Sequence, residues 1–196
     1  MHYIVKILVT ILISTLMQSS AVEMVSTTPT EAAEDFLGAL KAQDPKVMEK
    51  YMDNAYVNYI MNAEGDQKVI DRMNAALFGE FSYEIEQVKK RNDVAVAKVT
   101  VKSSDFSNVM NEYNKVSYDY VMDNLYDEKI ADKKALEKKC MELYVNELEK
   151  AAESDSMVET IVFVPMVDDG YYGWNVIMTD ELMKSVLGNL QMPVQN

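Results

Sequence analysis

Asp53, Tyr56, Tyr59, Tyr83 and Tyr118 are the side chains of this 196-residue sequence best suited to acid–base chemistry. A carboxylate or phenol does such work when burial among apolar groups moves its pKa toward the working pH. The set has no histidine to work with. The single histidine, His2, lies at the edge of an apolar N-terminal run that reads as a leader. With the leader removed, Ser–His and Cys–His nucleophile pairs cannot be assembled, and neither can a His-ligated metal site. No catalytic residue is assigned, and no cofactor is expected.

Three other groups have residue types that could carry chemistry. Cys140 is the only cysteine, so an intramolecular disulfide is excluded. Its helical spacing from Leu136 and Tyr144 in "LEKKCMELY" reads as a small apolar residue on a buried face. A reactive thiol or an intermolecular bridge is the sharper alternative. Asn62, Glu64 and Asp66 in "NAEGD" alternate hard oxygens in a way that suits Ca²⁺. The loop lacks a downstream bidentate glutamate, so a turn into an Asp-capped helix is the simpler reading and no metal site is assigned. "DDG" at 168–170 likewise reads as a turn. For binding, Tyr56, Tyr59, Phe81, Tyr83 and Trp174 would line a mostly apolar cavity, with hydroxyls to orient a ligand. The alternative is that these aromatics fill the core.

Positioning any of these groups falls to one domain with a sizeable core. The composition, 48% hydrophobic and 26% charged, is that of a folded globular chain. The net charge of −13 repels phosphate backbones and anionic lipid, which excludes nucleic-acid binding and strong membrane-surface binding. Lys6, the run "ILVTILISTLM" (7–17) and the small residues before Val22 predict a signal peptide over 1–21, cleaved near Ala21. The alternative is an uncleaved helix that tethers the chain to the membrane. A flexible lead-in over 22–27 then precedes the domain at 28–196.

The opening "TPTEAAEDFLGALKAQDPKVMEKYM" (28–52) predicts a helix capped by the Thr28–Glu31 box and stopped at Asp44-Pro45. A second, short helix follows. "YVNYIMNAEGDQ" reads as a short apolar piece and a turn, and residues 67–78 as a third helix. Alternation of Phe81, Tyr83 and Ile85 with Ser82, Glu84 and Glu86 predicts a strand with one wet face. "VAVAKVTVK" (94–102) pairs with it as a hairpin. Two helices follow over 106–153 as an inserted helical hairpin. Strand 157–167 has apolar residues on both alternating faces, which predicts burial on both sides, with a bulge or an edge at Pro165. Strand 174–178 and a terminal helix stopped by Gly188 close the chain.

That order predicts an α+β fold: a curved antiparallel sheet with N-terminal helices on its concave face, a helical insertion and a C-terminal helix. The opening, with its Pro-x-Glu-Ala-Ala pattern and Lys-x-x-Asp break, resembles secreted bacterial domains of the nuclear-transport-factor-2-like, or cystatin-like cone, superfamily. "GYYGWNVIMTDELMKSVLGNL" resembles the closing strand and helix of the same group. The resemblance covers about a third of the mature chain. It implies a scaffold that hosts isomerases, dehydratases and plain binding modules. The Asp–His arrangement of the dehydratase-like members has no counterpart here, nor does the lipid-bearing cysteine of the lipoprotein members. The expectation is an exported, non-enzymatic interaction domain. It would bind a protein, an envelope component or a small apolar ligand, with a homodimer through the sheet face as a structural option. The alternative is an isomerase- or hydrolase-like enzyme using buried Tyr and carboxylate groups.

Overall fold

The computed structural model describes residues 28–51, 53–61, 66–171 and 173–191. The expected leader and lead-in, and Asn62 and Glu64 of the acidic turn, lie outside them. Helix α1 spans Pro29–Ala42. The Thr28 hydroxyl accepts from the Glu31 N–H, and the Glu31 carboxylate accepts from the Thr28 N–H at 2.9 Å, which completes the capping box. Gln43 ends the helix in the left-handed region, ahead of Asp44 and Pro45. Helix α2, Pro45–Met48, is one turn and runs into a 3-10 turn at Glu49–Tyr51.

The piece expected to be a short apolar stretch is a helix, α3 (Ala55–Met61). Asn54 provides the start that the sequence reading overlooked: its carboxamide oxygen accepts from the N–H groups of Tyr56 and Val57. Helix α4, Gln67–Phe78, is capped by Asp66, which accepts from the Lys68 N–H at 3.0 Å.

Strands β1 (Ser82–Arg91), β2 (Val94–Ser104), β3 (Met157–Asp168) and β4 (Trp174–Val176) form an open, curved sheet in the order β1-β2-β3-β4. Every pair is antiparallel. Between β2 and β3 the chain leaves the sheet for α5 (Val109–Asp123), α6 (Glu128–Ala131) and α7 (Lys133–Glu153). The expected helical hairpin is this excursion. Asp132 caps α7, accepting from the Lys134 and Ala135 N–H groups. Helix α8, Asp180–Val186, is capped by Thr179.

One face of the sheet is the core. Helix α1 lies across all four strands, and α8 lies across β2 and β3. Ala95, Ala97, Val99 and Val101 of β2 and Val162, Val164 and Met166 of β3 point into this layer and are buried. Gly188 joins α8 to the sheet. At its φ of +51° an added Cβ would lie 1.7 Å from the Ser104 carbonyl oxygen. The Gly188 carbonyl also accepts from the Phe106 N–H at 2.8 Å. Only glycine fits so close an approach.

The expectation for β3 is corrected. Its second face is open to solvent, with Ile161, Phe163 and Val167 exposed. Among the described residues no helix covers that side, because the described helices pack on the opposite face. Pro165 sits where β4 ends: β4 pairs with residues 166–168 only, and the Pro165 carbonyl accepts from the Ile177 N–H. The missing N–H therefore costs the ladder nothing, as the edge reading of Pro165 anticipated. In β1 the register shifts between Ile85 and Gln87. Alternation restarts there, so Val88 takes the inward place opposite Ala97.

Candidate functional site

The five aromatic residues singled out for binding fall into separate packing groups. Phe81 is 1% exposed and stacks at a tilt on the half-buried Tyr83, with centroids 6.0 Å apart. The Tyr83 hydroxyl reaches α1 at Gly38, where an added Cβ would be 3.5 Å away. Tyr56, on α3, donates to the Leu190 carbonyl at 3.3 Å and so ties the C-terminal segment to the opening helices. Trp174 lies at the other end of the sheet, beneath the Lys90 ammonium at 4.7 Å. With Phe36 and Tyr51 it lines a cleft of about 50 Å³, room for little more than a water.

Tyr59 belongs to a cluster drawn from three helices. Its ring meets Tyr144 of α7 edge-on, and Tyr144 in turn meets Tyr113 of α5 edge-on at 5.5 Å. Cys140 is half-buried against Tyr113 rather than fully enclosed. Burial pushes the Tyr59 phenol up to about 12. Burial and the neighbouring Cys140 push Tyr113 to about 12 as well. Burial, then Tyr59, raises Tyr144 further. The Tyr144 hydroxyl is buried beside Tyr59 without a hydrogen-bond partner in good geometry. Phenols raised this far stay protonated at neutral pH, so the cluster has no base to offer. Of the remaining acid–base candidates, Asp53 and Tyr118 are exposed. Tyr83 is raised by burial and then by Glu34 and Asp35.

A larger cleft, about 360 Å³, opens between α1, α2, α3 and α4. Met48, Ile60, Met61, Ile70 and Phe78 form its apolar walls, and the carboxamides of Gln43, Gln67 and Asn74 its polar fringe. The Gln43 amide donates to the Asn74 carbonyl at 3.2 Å. None of the described lining residues is ionisable, and these walls suit an uncharged, largely apolar molecule.

Two surfaces expose large apolar side chains that the sequence reading did not assign to binding. The first is the bare face of the sheet, with Val94, Val96, Ile161, Phe163 and Val167 exposed and Ile177 beside them. Val94 pairs across the strands with Val167, and Val96 with Pro165, so these residues are contiguous. Lys98 and Thr100 share the face and bind the bulged Glu86 carboxylate, which holds it below the usual carboxylate range. The signal was available: Lys98 and Lys102 have the parity of Val94 and Val96, and Glu159 has that of Ile161 and Phe163.

The second surface is the end of the helical hairpin, where Tyr118, Met122, Leu125 and Tyr126 are exposed. None of the described side chains between 110 and 143 is buried. The proximal half of α7 packs through buried Tyr144, Val145 and Leu148 and is held by a polar clamp as well. Arg72 of α4 donates to Asn146 at 2.8 Å and to both Glu149 oxygens, which keeps Glu149 below the usual carboxylate range. Lys138 reaches Asp66 at 3.8 Å.

Fold and surfaces together define an α+β protein on an open, curved four-stranded sheet, with its described helices on one side. Among the described residues no helix is long and apolar enough to cross a membrane, and no group of three or more acidic, Cys or His side chains could hold a metal ion. No family model matches the chain, and no curated protein matches it. Among solved structures it is similar to YcdA, a candidate lipoprotein of Bacillus subtilis subsp. subtilis strain 168, with 18% sequence identity and a TM-score of 0.44. The match covers 88% of this chain, which spans 50% of the YcdA chain.

Proposed function

We propose that this is an exported, non-enzymatic interaction domain on a nuclear-transport-factor-2-like scaffold, and that its bare sheet face is the binding surface. One observation carries the reading. The face exposes a contiguous set of large apolar side chains, with Phe163 63% and Val94 56% exposed, on a chain of net charge −13. Contiguous exposed apolar residues of this kind mark protein contacts. Export is supported by the leader-like residues 1–21 and the cleavage-type residues near Ala21.

The acid–base alternative has less behind it. The raised phenols stay protonated at neutral pH, and none of the described residues lining the 360 Å³ cleft is ionisable. A small apolar ligand in that cleft is the second binding mode the geometry would support. The test of the main reading is a photoreactive side chain at position 163, compared with one at position 71 on exposed α4. Discrete protein adducts are expected at 163, absent at 71 and lost when Val96→Asp is added. Equal adducts at both positions, or adducts indifferent to Val96→Asp, would remove the sheet face from the function.

A further inference from the structure

Resting on the second binding mode above and not on the sheet face, we infer that the cleft between α1, α2, α3 and α4 takes an uncharged amphiphile. Its head carries a hydrogen-bond donor, a hydroxyl or an amide N–H, and its tail is a short hydrocarbon. The walls fix the tail. Met48, Ile60 and Phe78 are buried and Met61 and Ile70 partly so, which leaves the cleft walled by apolar atoms. The volume of about 360 Å³ has room for roughly a dozen heavy atoms, at the ~30 Å³ that one water occupies in the liquid. The two methionines let the walls adjust to a tail's shape. The other clefts already differ in kind: one of about 50 Å³ beside Trp174 is too small, and one of about 300 Å³ is walled by Glu80, Lys102 and Asp155.

The fringe fixes the head. Gln43, Gln67 and Asn74 bring three carboxamides to the cleft. Gln43 donates to the Asn74 backbone carbonyl at 3.2 Å and Gln67 to the Asp71 carboxylate at 2.9 Å, and neither side-chain oxygen accepts from a described residue. The Asn74 side-chain oxygen is buried and has no partner either. Water can meet the two glutamine oxygens, but the Asn74 oxygen is closed off from it, and an unpaired buried acceptor costs the fold stability. The last torsion of a carboxamide is soft, so Asn74 can turn its oxygen to the cleft. Acceptors without donors call for a donor on the ligand.

Charge selects a neutral head. None of the described lining residues is ionisable. The stretches that carry the fringe, 41–50 and 64–72, hold five bases (Lys41, Lys46, Lys50, Lys68, Arg72) and five acids (Asp44, Glu49, Glu64, Asp66, Asp71). Neither sign prevails there, so an ionised head would leave water without a counter-charge to receive it. The residues joining Met61 to Gln67 are Asn62, Ala63, Glu64, Gly65 and Asp66, and none is a large apolar residue that could stand in for the tail.

The experiment is NMR of the purified protein with isotope-labelled methionine methyl groups, the Met48, Met61 and Met122 signals being assigned by single leucine substitutions. 1-Octanol is expected to shift Met48 and Met61 saturably and to leave Met122, on the distant α5, in place. Octyl methyl ether has the same chain and no donor, and should bind about tenfold more weakly. Octanoate and octyltrimethylammonium should bind more weakly than octanol by at least as much. The double variant Gln67→Leu/Asn74→Leu removes one exposed and one unpaired acceptor, a change the fold tolerates. In it the preference for octanol over the ether should fall severalfold. Ile70→Glu should weaken octanol by about tenfold or more, with circular dichroism as the check on its fold. If no probe moves Met48 and Met61, the inference and the cleft mode fall together and the sheet-face reading is untouched. If the ether or an ionised probe binds as tightly as octanol, or the double variant keeps the full preference, the head-group assignment falls and the apolar cleft stands. Equal shifts at Met122 mean unspecific partition and overturn the inference as well.

Discussion

The two faces of the sheet use the same strands in opposite ways. In β2, "VAVA" (94–97) sends its two alanines inward and its two valines out to solvent. Burial alone would favour the reverse, since valine gains more than alanine on leaving water. Space decides otherwise. Helix α1 crosses all four strands on the inner side, and small residues there let helix and sheet approach. Among the described residues no helix covers the outer valines, and with Ile161 and Phe163 they form the apolar patch proposed for binding. Packing density therefore belongs to one face and availability to the other.

The sharpest way to break that contrast is at Gly188, which anchors the inner layer. Gly188→Ala must relieve a 1.7 Å approach to the Ser104 carbonyl and a φ of +51°. It is expected to lose about 3 kcal/mol or more in chemical denaturation, since the left-handed strain and the overpacking add. A loss below about 1 kcal/mol would mean that α8 does not lock to β2 as described.

Ala97→Leu tests the inner face itself. Ala97 is fully buried opposite Val164, so the added isopropyl group has nowhere to go. The expected cost is about 1–3 kcal/mol. Unchanged stability would show that the helices do not press on β2.

A third effect appears only in alkali. Tyr51, Tyr59 and Tyr113 are each held at about 12, against 10.0 for the free phenol. Between those values the folded chain holds protons that the unfolded chain has released, so stability falls with rising pH. These groups leave stability unchanged below about pH 10, and their contribution disappears as pH passes 12. Thermal melts from pH 8 to 12, followed with phenolate absorbance, should show the decline beginning above pH 10. Ionisation of these three buried tyrosines near pH 10 without loss of structure would refute the buried cluster.

The smallest change belongs to the outer face. Phe163→Ser removes a large apolar side chain that is already mostly in water. Stability should stay within about 0.5 kcal/mol of wild type, while binding at the sheet face is lost. A cost resembling that of Ala97→Leu would mean that the outer face is packed after all.

Much of this architecture was legible because its signals are short-range. The Thr28–Glu31 box, the Asp44-Pro45 stop and the Asp132 and Thr179 caps each depend on residues within a few positions of one another. The β1–β2 hairpin was readable for the same reason. The wet face of β3 was missed because Ile161, Phe163 and Val167 are as apolar as the residues between them. Only the parity of Glu159, carried across to Lys102, assigns them outward. Helix α3 was missed because its cap, Asn54, precedes a tyrosine-rich stretch with little helical bias.

The sequence by itself determined the α+β order of elements, the acidic charge and the absence of histidine beyond His2, because these depend on residue identity and near neighbours. Tertiary structure alone decided which face of β2 is covered and that Tyr59, Tyr113 and Tyr144 meet from three helices. It also decided that Gly188 touches Ser104, 84 positions earlier by number (188 − 104). The reason is physical: these outcomes follow from where distant elements find room to pack, and room belongs to the assembled volume rather than to any stretch of chain.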